Sequence, residues 1–266
     1  MSVPLRLIRN NRLLAATPKN GGAGAPAIDE DPAFPLLNIQ RTTRNRFWRS
    51  SASPASPLDP FDYDLSSNQV IKVYGLARIR HFRGTAGITT FRLYSATGAY
   101  PPGAWTLRAT QTVTTTDNDL FWELSPTISA RLWRFEFDNA GQFSCKPWLV
   151  TSGSGNIIDL SEGFDLVESI RRIRPREMRT FLGNVIFNDL GVPPGDKIRR
   201  WTFRDIVTNT VRTQILTCQA DAFILRDFYG AHYEASFADP LVAWGEAGYQ
   251  FTVRQALEPI VLEQLP

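Results

Sequence analysis

Two histidines, two cysteines and one tight run of aspartates are where chemistry would have to begin in this chain. Histidine is the side chain best suited to proton transfer near neutral pH. His81 stands between Arg80 and Phe82 in an alternating segment, and His232 follows "RDFYGA" in what reads as a turn. Neither has the HxH or HxxxH partner that metal binding favours, so neither is expected to catalyse or to ligate. "DPFDYDLSS" brings Asp59, Asp62 and Asp64 close together. Three carboxylates suit a hard cation such as calcium, but the Gly and closing Glu of an EF-hand loop are missing. Capping of turns by aspartate side chains is the simpler expectation. Cys145 and Cys218 lie far apart without CxxC spacing, which predicts two buried thiols rather than a zinc site or a disulfide. "TSGSGN" lacks the ending of a phosphate loop, and "SASPASP" has serines but no nucleophile elbow. The expectation is a protein that is not an enzyme, with no catalytic residue, metal or cofactor.

Arginine is the more informative residue. Of 29 basic residues four are lysines and 25 arginines, while the net charge is only +3. "RTTRNRFWRS" sets Arg41, Arg44, Arg46 and Arg49 around Phe47 and Trp48, and "RRIRPREMR" holds Arg171, Arg172, Arg174, Arg176 and Arg179 against Glu177. Basic residues interleaved with aromatics can bind nucleic acid through phosphate contacts and stacking. Arg and Trp are equally the anchors of protein interfaces. With so mild a net charge and no nucleic-acid motif, these eleven residues are assigned to partner binding, with nucleic acid the lesser reading and a plain solvated face an alternative for the second stretch.

The elements that must position such residues are strands. Residues 1–35 read as an extended N-terminal arm, because "NGGAGAPAIDEDPAFP" is too rich in Gly, Ala and Pro to pack a core. The arm still carries Leu5, Leu7, Ile8, Leu13 and Leu14, which need burial on this domain or on a neighbour. From 36 to 165 short runs alternate. "NQVIKVYGLARIRHF" places Val70, Lys72, Tyr74, Leu76, Arg78 and Arg80 on one parity and Ile71, Val73, Ala77 and Ile79 on the other. "GITTFRLYSA", "WTLRATQTVTT" and "SARLWRFEFDNAGQFSCKPWLV" follow. Short β-branched and aromatic strands separated by turns predict an all-β antiparallel sandwich or jelly roll, with the aromatics as filler between sheets. A boundary falls near 160–168, and 166–266 reads as a smaller β-rich domain in which "RDIVTNTVR" is a strand or a short helix. No stretch is long and apolar enough for a membrane span, and Arg6, Arg9 and Arg12 interrupt anything like a secretory signal.

"NQVIKVYGLARIRHFRGTAGITTFRLYS" and "SARLWRFEFDNA" resemble the discoidin-like (galactose-binding-like) sandwich of bacteriophage tail proteins. The matching positions are Val73 to Arg92 and Ala130 to Asp138, with Leu132-Trp133-Arg134 at the Trp-Arg pair of that family, and the likeness spans roughly 60–165. The resemblance implies a structural virion protein of a long-tailed phage. Such a protein would be a tail-tip or baseplate component, made in the host cytoplasm and assembled as a homo-oligomeric ring with other tail proteins. The alternative it implies is a carbohydrate-binding, host-recognition module, since sandwiches of this kind bind sugars elsewhere through loops at one end.

Overall fold

The computed structural model describes residues 4–19, 29–40, 47–52, 58–81, 88–113, 119–139, 141–160, 165–172, 176–179, 185–188, 197–204, 209–218, 222–237 and 260–264. In chain order the strands are β1 (Leu5–Ile8), β2 (Thr17–Pro18), β3 (Trp48–Arg49), β4 (Leu58–His81), β5 (Ile88–Ala96), β6 (Thr106–Thr112), β7 (Leu120–Asn139) and β8 (Phe143–Thr151). Then come β9 (Ile157–Leu160), β10 (Asp165–Arg172), β11 (Arg176–Arg179), β12 (Val185–Asn188), β13 (Lys197–Arg204), helix α1 (Asn209–Leu216), β14 (Phe223–Arg226), β15 (His232–Phe237) and β16 (Ile260–Gln264). The all-β antiparallel architecture expected from the alternation is what forms. The helix takes part of the segment where strand and helix were both open, and Val211, Ile215 and Cys218 recur there at helical spacing.

Two long strands make the sandwich. β4 pairs with β7 along both halves, Leu58–Asp64 against Phe137–Leu132 and Gln69–Leu76 against Ala130–Leu120, with a register shift between the halves. The second half of β4 also pairs with β8, and the second half of β7 with β5. The sheet therefore doubles over, so that rings from opposite layers meet. Trp48 of β3 lies edge-on to Phe61 at 4.7 Å, Tyr74 meets Phe91 at 5.9 Å, and Phe137 meets Phe143 at 5.7 Å. Phe91, Phe135 and Phe137 stack in the centre at 5.6–5.7 Å. Edge-on and offset arrangements at these separations are the ones that the ring quadrupoles favour.

Strict parity fails along β4. Ile71, Tyr74, Leu76 and Ile79 all enter the sandwich core, whereas Val73 and Ala77 face the opposite side. Register shifts between Ile71 and Val73, and between Ala77 and Arg80, each exchange the two faces, as a β-bulge must. Arg78 sits in the second bulge with φ 53°. Gly75 is required where β7 crosses closely, because a Cβ there would collide with the Leu120 carbonyl oxygen and the Phe121 ring.

The second seven-stranded sheet has the order β10-β13-β16-β15-β14-β1-β9. It packs on the outer face of the sandwich layer that holds β8. Val73, Ala77, Phe121, Trp148 and Val150 meet Ile8 and Ile224 there. With both faces covered, every residue of β8 is buried. Leu5 and Leu7 point the other way, into a core with Ile215, Cys218, Phe223 and Leu225.

Residues 5–18, expected as the start of an extended arm, are thus built into this chain. β1 lies between β14 and β9, and the turn after it is tied to β8. Asn11 Nδ2 donates to the Pro147 carbonyl at 3.0 Å, and its Oδ1 accepts from Leu149 N at 3.1 Å. Leu5 and Leu7, at alternate positions of β1, supply its burial.

Candidate functional site

The outer face of the sandwich carries its polar chemistry. On β7 the residues that miss the core, Arg131, Arg134, Glu136 and Asp138, form a ladder with the neighbouring strands. Arg131 makes a bidentate pair with Asp64, both bonds 2.7 Å, and Arg134 does the same with Asp62. Arg92 of β5 donates to Glu136 at 2.8 Å and to Asp138 at 3.1 Å. Planar fork-to-fork pairing of this type fixes orientation as well as charge. Hydrogen bonding from Arg131 holds the Asp64 carboxyl below its ordinary value despite partial burial, and Asp64 Oδ1 also accepts from Ser66 N at 2.8 Å. Asp64 accordingly caps its turn as the sequence suggested. Asp59 is on β4, but its side chain lies outside the described residues. Among the described residues no three metal-ligating groups converge.

One loop turns this ladder into a site. From the end of β5, residues 97–105 fold back across β7 to reach β4, a span of two strand spacings or about 10 Å. Tyr100 Oη donates to Asp62 Oδ2 at 3.2 Å, and the Arg134 guanidinium lies over the Trp105 ring, 4.4 Å from its centroid. Tyr94, directly opposite Arg134 on β5, reaches Glu136 with its hydroxyl at 3.5 Å. Burial first, then the Asp62 charge, push the Tyr100 phenol above its ordinary value, so it remains a neutral donor. The hydrogen bonds that Arg134 donates to Asp62 hold its guanidinium charged. Arg134 uses Nε and Nη2 on Asp62, which leaves its Nη1 donors unclaimed among the described residues. Asp62 is 1% exposed, whereas Tyr94, Tyr100 and Trp105 are half-buried. The result is an aromatic and polar platform around one rigid ion pair. The Arg134 position was visible in the sequence; the Tyr100–Trp105 contribution depends on the loop's path across β7.

The partner-binding residues assigned from sequence are placed differently. Arg41, Arg44, Arg46 and Arg174 lie outside the described residues. Phe47 is half-buried and stacks on Phe34 at 4.9 Å. Trp48, assigned to partner binding, is 0% exposed in the sandwich core, where its indole fills the gap between Phe61 and Phe143. Arg49 donates from Nε to Asp31 at 2.9 Å and covers the Phe34 ring at 4.0 Å, which binds it within its own chain. Arg171 and Arg172 belong to β10, opposite Ile198 and Lys197, and Arg176 and Arg179 to β11, opposite Asn188 and Val185. Both cysteines are buried and free. Burial pushes the Cys145 thiol far up and that of Cys218 to about 11, so neither is a ready nucleophile.

His232 opens β15 instead of occupying a turn, directly opposite Arg226, with the Phe121 ring 5.4 Å away. Burial, then the charges of Arg226 and Arg6, lower its pKa to about 4, against a smaller opposing effect of Glu123. The imidazole is therefore neutral in the folded protein at neutral pH. An unfolded chain protonates it near 6.5. Between these values the unfolded state binds the extra proton, so stability falls as pH drops from about 6.5 to about 4 and changes no further below that. The expected loss is on the order of 2–3 kcal/mol. Chemical denaturation at pH 7 and pH 4 checks this: His232→Asn should show a shallower decline than the parent protein, and equal declines would remove His232 as the cause.

No family model matches the chain, and no curated protein matches it in sequence. Solved structures do align with it. The family 32 carbohydrate-binding module of C. perfringens NanJ, determined with galactose, aligns at TM-score 0.41 and 16% identity over 55% of this chain and 98% of its own. Chitosan-binding module 1 of a chitosanase/glucanase from Paenibacillus sp. IK-5 aligns at TM-score 0.40 and 15% identity over 53% and 98%. A Clostridium perfringens module in complex with GalNAc-β-1,3-galactose aligns at TM-score 0.41 and 12% identity over 53% and 100%. The fold itself, an all-β chain whose central unit is an antiparallel sandwich, is set out by the strand registers above.

Proposed function

We propose that the protein is a non-catalytic binding protein whose sandwich takes a carbohydrate on the platform formed by Tyr94, Tyr100, Trp105 and Arg134. The observation that carries this reading is the loop 97–105 laid over the Asp62–Arg134 pair, with Tyr100 bonded to Asp62 and Trp105 under Arg134. A sugar ring has an apolar C–H face and a rim of paired hydroxyls. Half-buried aromatic rings match the face, while guanidinium and carboxylate groups match the rim. The ion pair holds both partners in one rotamer before the ligand arrives, which reduces the ordering cost of binding.

A glycan array probed with the purified protein tests the reading. The expected result is selective binding that Trp105→Ala weakens at least tenfold, with the thermal midpoint kept close to that of the parent. No glycan signal from the folded protein, or equal signal from the variant, would sink it.

A second reading, a structural piece of a long-tailed phage's tail tip or baseplate, is favoured by a different feature. Among the described residues β11 and β12 pair only with each other, outside both large sheets, and β11 carries Arg176 and Arg179. A hairpin of this kind suits docking onto a copy or another tail protein. A monomeric mass in solution at high concentration, alongside glycan binding, would favour the first reading over this one.

A further inference from the structure

Where the second sheet meets the sandwich there is a half-open cavity of about 60 Å³. One water needs about 10–15 Å³, so the cavity has room for a group larger than a single solvent molecule. Its walls include Arg6, Arg226 and His232 on one side and Phe121, Trp122 and Glu123 on the other. These bases are not scattered. Arg6 of β1 is the cross-strand partner of Arg226 of β14, and Arg226 is the cross-strand partner of His232 of β15. Three basic side chains thus stand side by side on adjacent strands. Like charges placed directly opposite are destabilising in a sheet, so the arrangement calls for an explanation.

Two carboxylates, Asp159 and Glu123, supply part of it. Asp159, opposite Arg6 on β9, takes two bonds from that guanidinium at 2.5 and 2.9 Å, and Glu123 bonds Arg6 and, at 3.1 Å, Lys72. Arg226 is served poorly by comparison. Its Nη2 donates to the Pro4 carbonyl at 3.3 Å and stands 3.9 Å from Asp159. Its Nε is buried and has no hydrogen-bond partner among the described residues. Three cations, Arg6, Lys72 and Arg226, therefore share two carboxylates, Glu123 and Asp159, and a neutral His232 adds a ring nitrogen but no charge. Among the described residues the group lacks one negative charge, and the cavity lies beside the residue that lacks it.

We infer that this cavity binds a small oxyanion, a carboxylate or phosphate group, held by Arg226 with Arg6 and His232 beside it. Such a group would accept from the unpartnered Arg226 Nε, complete the charge balance and separate the two arginines. Its shape fits the guanidinium fork. The site is distinct from the carbohydrate platform, which lies on the opposite layer of the sandwich around β5.

Titration calorimetry of the full chain at pH 7 and constant ionic strength, with sodium chloride as the baseline, tests the inference. Inorganic phosphate and sodium acetate serve as probes. Saturable binding of either supports it, phosphate alone indicating a phosphoryl ligand and acetate a carboxylate one. The bound anion is expected to raise the thermal midpoint by a few degrees. Arg226→Gln should abolish both effects, and Arg226→Lys, which keeps the charge but loses the fork, should weaken binding at least tenfold. Absence of saturable binding by the parent chain overturns the inference. So does unchanged affinity in a folded Arg226 variant, which would put the anion elsewhere.

Discussion

Glu234→Ala is expected to destabilise the protein by about 3–5 kcal/mol, the cost of leaving buried charges without their counter-ion. Glu234 is 1% exposed and stands between two cations that are themselves buried. Lys146 Nζ donates to its Oε1 at 2.9 Å, and Arg78 Nε to its Oε2. Burial alone would raise the carboxyl's pKa. The Arg78 and Lys146 charges outweigh that and hold it well below the usual carboxylate range. The three residues come from β15, β4 and β8, so the triad fastens the second sheet to the sandwich. Asp119 adds to the fastening by accepting from the backbone N–H of both Arg78 and Glu234. A buried ionic group of this kind is weak evidence for net stability, because desolvation offsets the attraction. Replacing all three together, Arg78→Met, Lys146→Met and Glu234→Leu, is therefore expected to be far milder than Glu234→Ala alone. Urea unfolding of the two variants and the parent measures the contrast. If the single substitution costs less than about 1 kcal/mol, water or another group already balances the two cations.

Removing residues 1–18 is expected to abolish cooperative folding of the second sheet. Leu5, Leu7 and Leu13 are each 0% exposed, and Ile8 is 2% exposed. Burial of one such side chain contributes about 1.5–3 kcal/mol, so their combined loss is comparable with the whole stability of a domain, about 5–15 kcal/mol. The deletion also strips β14 and β9 of the strand between them, leaving two unpaired edges prone to aggregation. A free arm would predict a folded, soluble truncated chain that fails only in assembly. Calorimetry of the truncated protein separates the two outcomes: an unchanged cooperative transition would show that β1 is dispensable.

Both results turn on contacts that local sequence does not display. Alternation in "LWRFEFD" was enough to place Phe135 and Phe137 inside and Arg134, Glu136 and Asp138 outside, because side chains of a strand point to opposite faces at every step. The aromatic filling, the buried thiols and the turn-capping role of Asp64 followed from residue type and immediate neighbours. The faces of β4 did not, since two bulges exchange them and leave little trace in the residues themselves. Arg78 read as one more member of a parity set until its bulge turned it toward Glu234, 156 residues away. Trp48 read as an anchor for partners, since its flanking arginines resemble an interface and nothing local shows that Phe61 and Phe143 close around it. Leu5 and Leu7 declared a need for burial without naming the surface. Periodicity reports which side of a strand is apolar over a few residues. Which strand lies beside it, and what covers its other face, is decided by pairings across most of the chain, where total burial and hydrogen bonding are settled together.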